Sequence, residues 1–146
     1  MFTTSSSLTS SANLYFSNKD FYLTSFQGEY LKEMQPIETK LEQGVRTLDS
    51  KLGTRAMLLQ TPNFIVSFGK PASENEGTVL LGQLAWSGNF KLDFEIDSHK
   101  NLRLITGINP FASEYALVPN ETFKTPSLIA KLPSSLSIII SSYCVL

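Results

Sequence analysis

The sequence is short of the residues from which reactive sites are usually built. Its 146 residues hold one cysteine, Cys144, and one histidine, His99. Structural zinc sites take four Cys or His ligands and catalytic ones usually two or three His, so neither can be assembled and no metal or other cofactor is expected. A lone cysteine forms no internal disulfide, which fits a reducing compartment. A Ser-His-Asp arrangement would need His99, which stands in the polar run Asp97-Ser98-His99-Lys100-Asn101 and reads as part of a hairpin turn. The eight glycines are widely spaced, so there is no Gly-rich phosphate loop.

Charge is sparse as well. Charged residues make up 17% of the chain, with twelve basic against thirteen acidic side chains. The basic ones are scattered from Lys19 to Lys131, which argues against a nucleic-acid partner or an anionic membrane surface. No basic residue precedes Lys19 and no apolar run of seven follows the start, so a secretory leader is not expected. The apolar stretch from Leu136 to Leu146 is too short and serine-rich to span a bilayer. A cytoplasmic chain without a membrane partner is the expectation.

What is present is β structure. A chain of this length makes one domain that buries roughly two-thirds of its unfolded surface, and it cannot hold a (β/α)₈ barrel of about 250 residues. Residues 1–12 contain eight Ser or Thr and read as a flexible lead-in. Beyond them, aromatic and β-branched residues cluster in short runs bounded by Gly, Pro and Asn. Phe21 to Met34 reads as one long strand, bent by a bulge at Gly28. Glu38 to Asp49 is a weaker strand interrupted by Gln43-Gly44, and Asn63 to Phe68 is an apolar strand that follows Pro62. Thr78 to Trp86, Phe90 to Asp97 and Leu102 to Ile108 read as a three-strand meander. Phe90, Leu92, Phe94 and Ile96 alternate with Lys91, Asp93, Glu95 and Asp97, the pattern of a half-buried antiparallel strand. A short strand from Glu121 to Lys124 follows. The fold class is all-β and antiparallel, with the spacing of a sandwich or a barrel.

Three groups of side chains invite a chemical reading. Asp93, Glu95 and Asp97 are carboxylates spaced two apart on a strand, about 6.6 Å from one to the next, inside the roughly 6.5–9.5 Å window of inverting glycosidases. They share a face with Lys91 and flank a turn, which favours an ordinary solvated face, so no catalytic residue is assigned. Trp86, the only tryptophan, offers a ring on which a sugar can stack, with Asn89 and Arg55 as polar neighbours. Core filling by Trp86 and an exposed loop position for Arg55 are the competing readings. Gly53 and Gly88 are candidates for positive φ.

Four blocks carry a family resemblance. Phe26-x-Gly28-x-x-x-x-Glu33 comes first, then Asp49-Ser50-x-x-Gly53, then Leu84-Ala85-Trp86-Ser87-Gly88-Asn89-Phe90. Gly107-Ile108-Asn109-Pro110-Phe111 follows, with Leu117-x-Pro119-x-Glu121-x-Phe123-x-Thr125-Pro126 as its tail. In this order they resemble the N-terminal domain of glycoside hydrolase family 36 α-galactosidases. The chain departs at Met57-Leu58-Leu59, where the family has a His-containing segment, and at Asn120, where the family has Gly.

The resemblance implies a sandwich of residues 13–130 that is part of a larger β-supersandwich and incomplete, without the barrel that carries the family's catalytic aspartates. The fragment is then a non-catalytic scaffold whose partners are the barrel and the other subunits, with galactosides such as melibiose or raffinose as the enzyme's substrates. A stand-alone saccharide-binding sandwich is the alternative, and an unfolded relic of a broken gene the third reading. Residues 131–146 carry no charge after Lys131 and no family pattern, so a frameshifted or truncated tail is expected there. Its β-prone Leu136–Ile140 segment is an aggregation hazard where exposed.

Overall fold

The computed structural model describes residues 12–17, 20–112, 121–132, 138–140 and 143–145. Most of the lead-in and the Leu117 and Pro119 positions of the last family block lie outside these residues. Among the described residues twelve strands form three antiparallel sheets. One sheet runs in the order β1 (Ala12–Phe16), β8 (Leu102–Ile108), β7 (Phe90–Ile96), β4 (Gly44–Asp49). The second has β11 (Ile138–Ile140), β10 (Ser127–Lys131), β6 (Thr78–Ala85), β5 (Gln60–Phe68), β2 (Phe21–Glu29) and β3 (Lys32–Leu41). A small ribbon pairs β9 (Thr122–Lys124) with β12 (Tyr143–Val145). A 3₁₀ turn over Gly53–Leu58 links β4 to β5.

The larger sheets face each other across one core. Alternation on β7 sends Phe90, Leu92, Phe94 and Ile96 inward and leaves Lys91, Asp93 and Glu95 half-buried outside. They meet Phe21, Leu23, Phe64, Val66, Leu80, Leu84 and Leu128 from the opposite sheet. Phe64 and Phe94 join the layers edge to face, with ring centres 5.1 Å apart and planes at 81°. Each such buried side chain contributes about 1.5–3 kcal/mol. The chain is an all-β sandwich, the architecture that the family resemblance implies.

Three expectations change. The segment from Phe21 to Met34 is not one bent strand: it turns at Tyr30-Leu31, and β2 and β3 form a hairpin, Phe21 opposite Leu41. The bulge is nevertheless at Gly28, where the register shifts between Gln27 and Glu29. The three-strand meander is also replaced. Strand β6 belongs to the six-stranded sheet and β7 to the four-stranded one, so Trp86 to Asn89 is a crossover between layers. Period-two alternation marks which side of a strand is buried but not which sheet owns it.

Third, β5 begins before Pro62, which lies inside the strand. Its pairing with β2 jumps from Ser25–Phe64 to Gln27–Gln60. At that irregularity the Phe26 carbonyl accepts from Gln60 Nε2 at 3.2 Å and Thr61 Oγ1 at 3.4 Å. Pro62 has no N–H to offer a ladder, and the bulge is where none is needed. In the tail, the backbone of β11 pairs with β10, Ile139 opposite Ile129. That pairing leaves one edge of the Ile138–Ile140 strand engaged.

Candidate functional site

Three of the four motif blocks converge on one corner of the sandwich, where β6 crosses to β7. Trp86 Nε1 donates to the Asn89 carbonyl at 3.1 Å, and Asn109 N donates to the same carbonyl at 3.0 Å. Asn89 Oδ1 accepts from Gly53 N at 2.6 Å, and Asn89 Nδ2 donates to the Phe111 carbonyl at 3.4 Å. Gly53 has φ of +60°, the left-handed conformation expected of it. Gly88 does not adopt positive φ. Its constraint is space, because a Cβ there would stand 2.8 Å from Trp86 Nε1.

Asn109 is the centre of the corner, buried to 3% exposure. Its Nδ2 reaches the carbonyls of Ser50 at 3.3 Å and Phe90 at 3.4 Å, and Asp49 Oδ2 at 3.3 Å. Its Oδ1 accepts from Phe111 N at 2.9 Å. The side chain thus closes the ends of β4, β7 and β8 together. In the sequence Asn109 stands out only as a member of the Gly107–Phe111 block; an Asn at a strand end before Pro is the signal that marks it. Trp86 packs partly buried against the core, and Asn89 is part of the lock. Arg55 is exposed on the 3₁₀ turn whose first residue Asn89 holds.

The carboxylates face the other way. On the outer side of the four-stranded sheet a groove of about 520 Å³ is lined by Asp49, Lys51, Lys91, Asp93, Arg103 and Asn109. Its charges are paired: Lys91 with Asp93 at 2.8 Å, Lys51 with Asp49 at 3.4 Å. Thr47 Oγ1 also donates to Asp93, at 2.6 Å. Glu95 lies 3.8 Å from Arg103. Asp97 accepts from the backbone N–H groups of His99 and Asn101 and from the Asn101 amide, at 2.7–2.8 Å. Those bonds, led by the Asn101 N–H, hold its carboxyl below the usual range. A general acid needs the opposite shift. Asp97 and His99 therefore build a turn, as their polar setting predicts.

The sequence profile of the glycosyl hydrolase family 36 N-terminal domain matches residues 7–118. Alpha-galactosidase 2 of Pediococcus pentosaceus is 33% identical over 126 residues, which cover 82% of this chain and 16% of that protein. Alpha-galactosidase AgaA of Geobacillus stearothermophilus is 30% identical over 119 residues, again 82% of this chain and 16% of the relative. The crystal structure of AgaA superposes with a TM-score of 0.73 at 27% identity, over 89% of this chain and 17% of that one. The chain therefore spans about a sixth of the length of the α-galactosidases it matches. Its matching profile covers most of its length, and the chain belongs to the glycosyl hydrolase family 36 N-terminal domain family.

Proposed function

We propose that the chain is a non-catalytic scaffold domain of a cytoplasmic α-galactosidase that acts on galactosides such as melibiose or raffinose. Its partners in this reading are the catalytic barrel and neighbouring subunits. Family membership over a sixth of the relatives' length supports the reading. So does the setting of the carboxylates: Asp93 is hydrogen-bonded by Thr47 and paired with Lys91 on the sheet's outer face, and Asp97 is tied into the His99–Asn101 turn. The single observation that carries most weight is the convergence of the motif blocks on the Asn89–Asn109 corner, where their polar atoms hold backbone to backbone. Trp86 and Asn89 serve that lock, and Arg55 rides on the turn it anchors.

The purified chain should release no galactose from a chromogenic α-galactoside. Release that is lost in Asp93→Asn or Asp97→Asn would overturn the reading. A chimera of the Pediococcus alpha-galactosidase 2, carrying this sequence in place of its matching segment, should assemble and keep its activity. Titration with galactose or raffinose should leave Trp86 fluorescence without a saturable change.

A further inference from the structure

The groove on the outer face of the four-stranded sheet has the locked corner as its end wall: Asp49 and Asn109 belong to both. Its depth comes from the sheet register. Asp49, Lys91 and Gly107 stand side by side on β4, β7 and β8, and Gly107 has no side chain to fill the row. In the next row Thr47, Asp93 and Ile105 are neighbours, so the floor turns apolar at Ile105 beside a polar edge. The polar atoms are open to a ligand: the Asp93, Asp49 and Lys91 side chains are 20%, 38% and 43% exposed. They are also held in place. Asp93 is bound by Thr47 and Lys91 at once, and Asp49 by Lys51 and by Asn109 Nδ2, which the corner immobilises.

Paired charges of this kind keep hydrogen-bonding capacity in reserve, because an ammonium has three donors and a carboxylate about four acceptor positions. Lys91 Nζ and Asp93 Oδ2 stand 2.8 Å apart, close to the spacing of two hydroxyl oxygens on neighbouring ring carbons. A vicinal diol therefore fits across the pair, one hydroxyl accepting from Lys91 and the next donating to Asp93. Lys51 and Asp49, 3.4 Å apart, offer a second pair. Charge selects against other ligands. An anion meets Asp49 and Asp93, a cation meets Lys51, Lys91 and Arg103, and an apolar molecule strips water from all five. The groove's volume of about 520 Å³ lies within the roughly 300–1,000 Å³ of small-molecule sites. We propose that it binds an uncharged saccharide through vicinal diols on these two ion pairs, with a C–H face of a ring on Ile105. Asn109 then orients Asp49 for the ligand as well as closing the corner. Trp86 is not in the lining, so its fluorescence stays silent when the groove fills. The proposal goes beyond the scaffold role and does not depend on it.

Raffinose, titrated into the 146-residue chain by calorimetry and followed by saturation-transfer NMR, should bind with Kd in about the millimolar range expected of an open, neutral-ligand site. Tetrahydropyran-2-methanol, a similar ring without neighbouring hydroxyls, should not saturate. Lys91→Met and Asp93→Thr should each weaken raffinose binding by about tenfold or more, since a hydrogen bond to a charged partner is lost. Lys91→Met keeps an apolar stem and Asp93→Thr suits a strand, so both melting temperatures should stay close to the parent's. Absence of saturation, full binding by both variants, or equal binding of the ring without its diols would overturn the assignment. So would inorganic phosphate that binds more tightly and displaces raffinose, which would make the groove an anion site. A chimera that stays active while the chain binds no sugar would sink this proposal and leave the scaffold reading standing.

Discussion

The ring of Phe64 lies directly across Gly82, its cross-strand partner on β6, so that a Cβ at position 82 would be driven into the ring edge. Phe64 is 1% exposed and is held from the far side by Phe94, so the ring has nowhere to retreat. Gly82→Ala should lower stability by about 1–3 kcal/mol, read from the urea midpoint by circular dichroism. Phe64→Leu in the same chain should return part of that loss. Equal stability of Gly82→Ala and the parent would refute the packing described.

Asn109 is the second sensitive point. Asn109→Ala removes the donor shared by the Ser50 and Phe90 carbonyls and the acceptor for Phe111 N. Unmet polar groups in a buried corner cost about 1–3 kcal/mol, and the same urea titration measures it. Trp86→Phe, which loses the bond to the Asn89 carbonyl and part of the ring's packing against the core, should cost about 1–2 kcal/mol.

Acid should weaken the fold through two carboxylates. Asp97 is held below the usual range by Asn101 and the His99 N–H, and Asp20 by Lys100 and then Lys40. Both bind protons less readily in the folded chain. Their contribution is complete above the unfolded carboxyl value of about 3.9 and is lost as pH falls through the lower folded values. The urea midpoint should therefore be flat near neutrality and fall below about pH 4, with a shallower fall in Asp97→Asn. An unchanged slope in that variant would remove Asp97 from the account.

Leu31, at the tip of the β2–β3 hairpin, has φ of +68° and is 77% exposed. A leucine in the left-handed region is strained by roughly 1–2 kcal/mol, and it covers no core here. Leu31→Gly should raise stability by up to about 1 kcal/mol, the strain relieved being partly offset by the freer unfolded chain. A loss on that substitution would mean that the tip has contacts of its own.

The same tip explains what could not be read from the residues alone. A hairpin is announced by Asn-Gly or Asp-Gly, and Tyr30-Leu31 supplies neither, so two strands looked like one. Gly28 keeps its meaning because this bulge leaves no room for a side chain: a Cβ there would meet Glu33 Cα at 3.0 Å. The β7–β8 hairpin was legible in full, since Asp97 to Asn101 carries explicit turn chemistry and β7 alternates without a break. The Trp86–Asn89 crossover was not, because local alternation is the same whether the next strand stays in the sheet or leaves it. Of the candidate site, the motif residues were visible but their meeting place was not. Asn89 and Gly53 are 36 positions apart, and only tertiary packing brings them within 2.6 Å.

Strand β1 completes the four-stranded sheet by pairing with β8, Leu14 opposite Leu104, about ninety residues later in the chain. During synthesis on a ribosome that first strand emerges without its partner. It must wait until β8 has been made, with its Tyr15 and Phe16 side chains within reach of other chains. Closing so long a loop is slow. The vulnerable moment for this fold is therefore its synthesis, and a chaperone that shelters β1 would act where the topology leaves the longest gap.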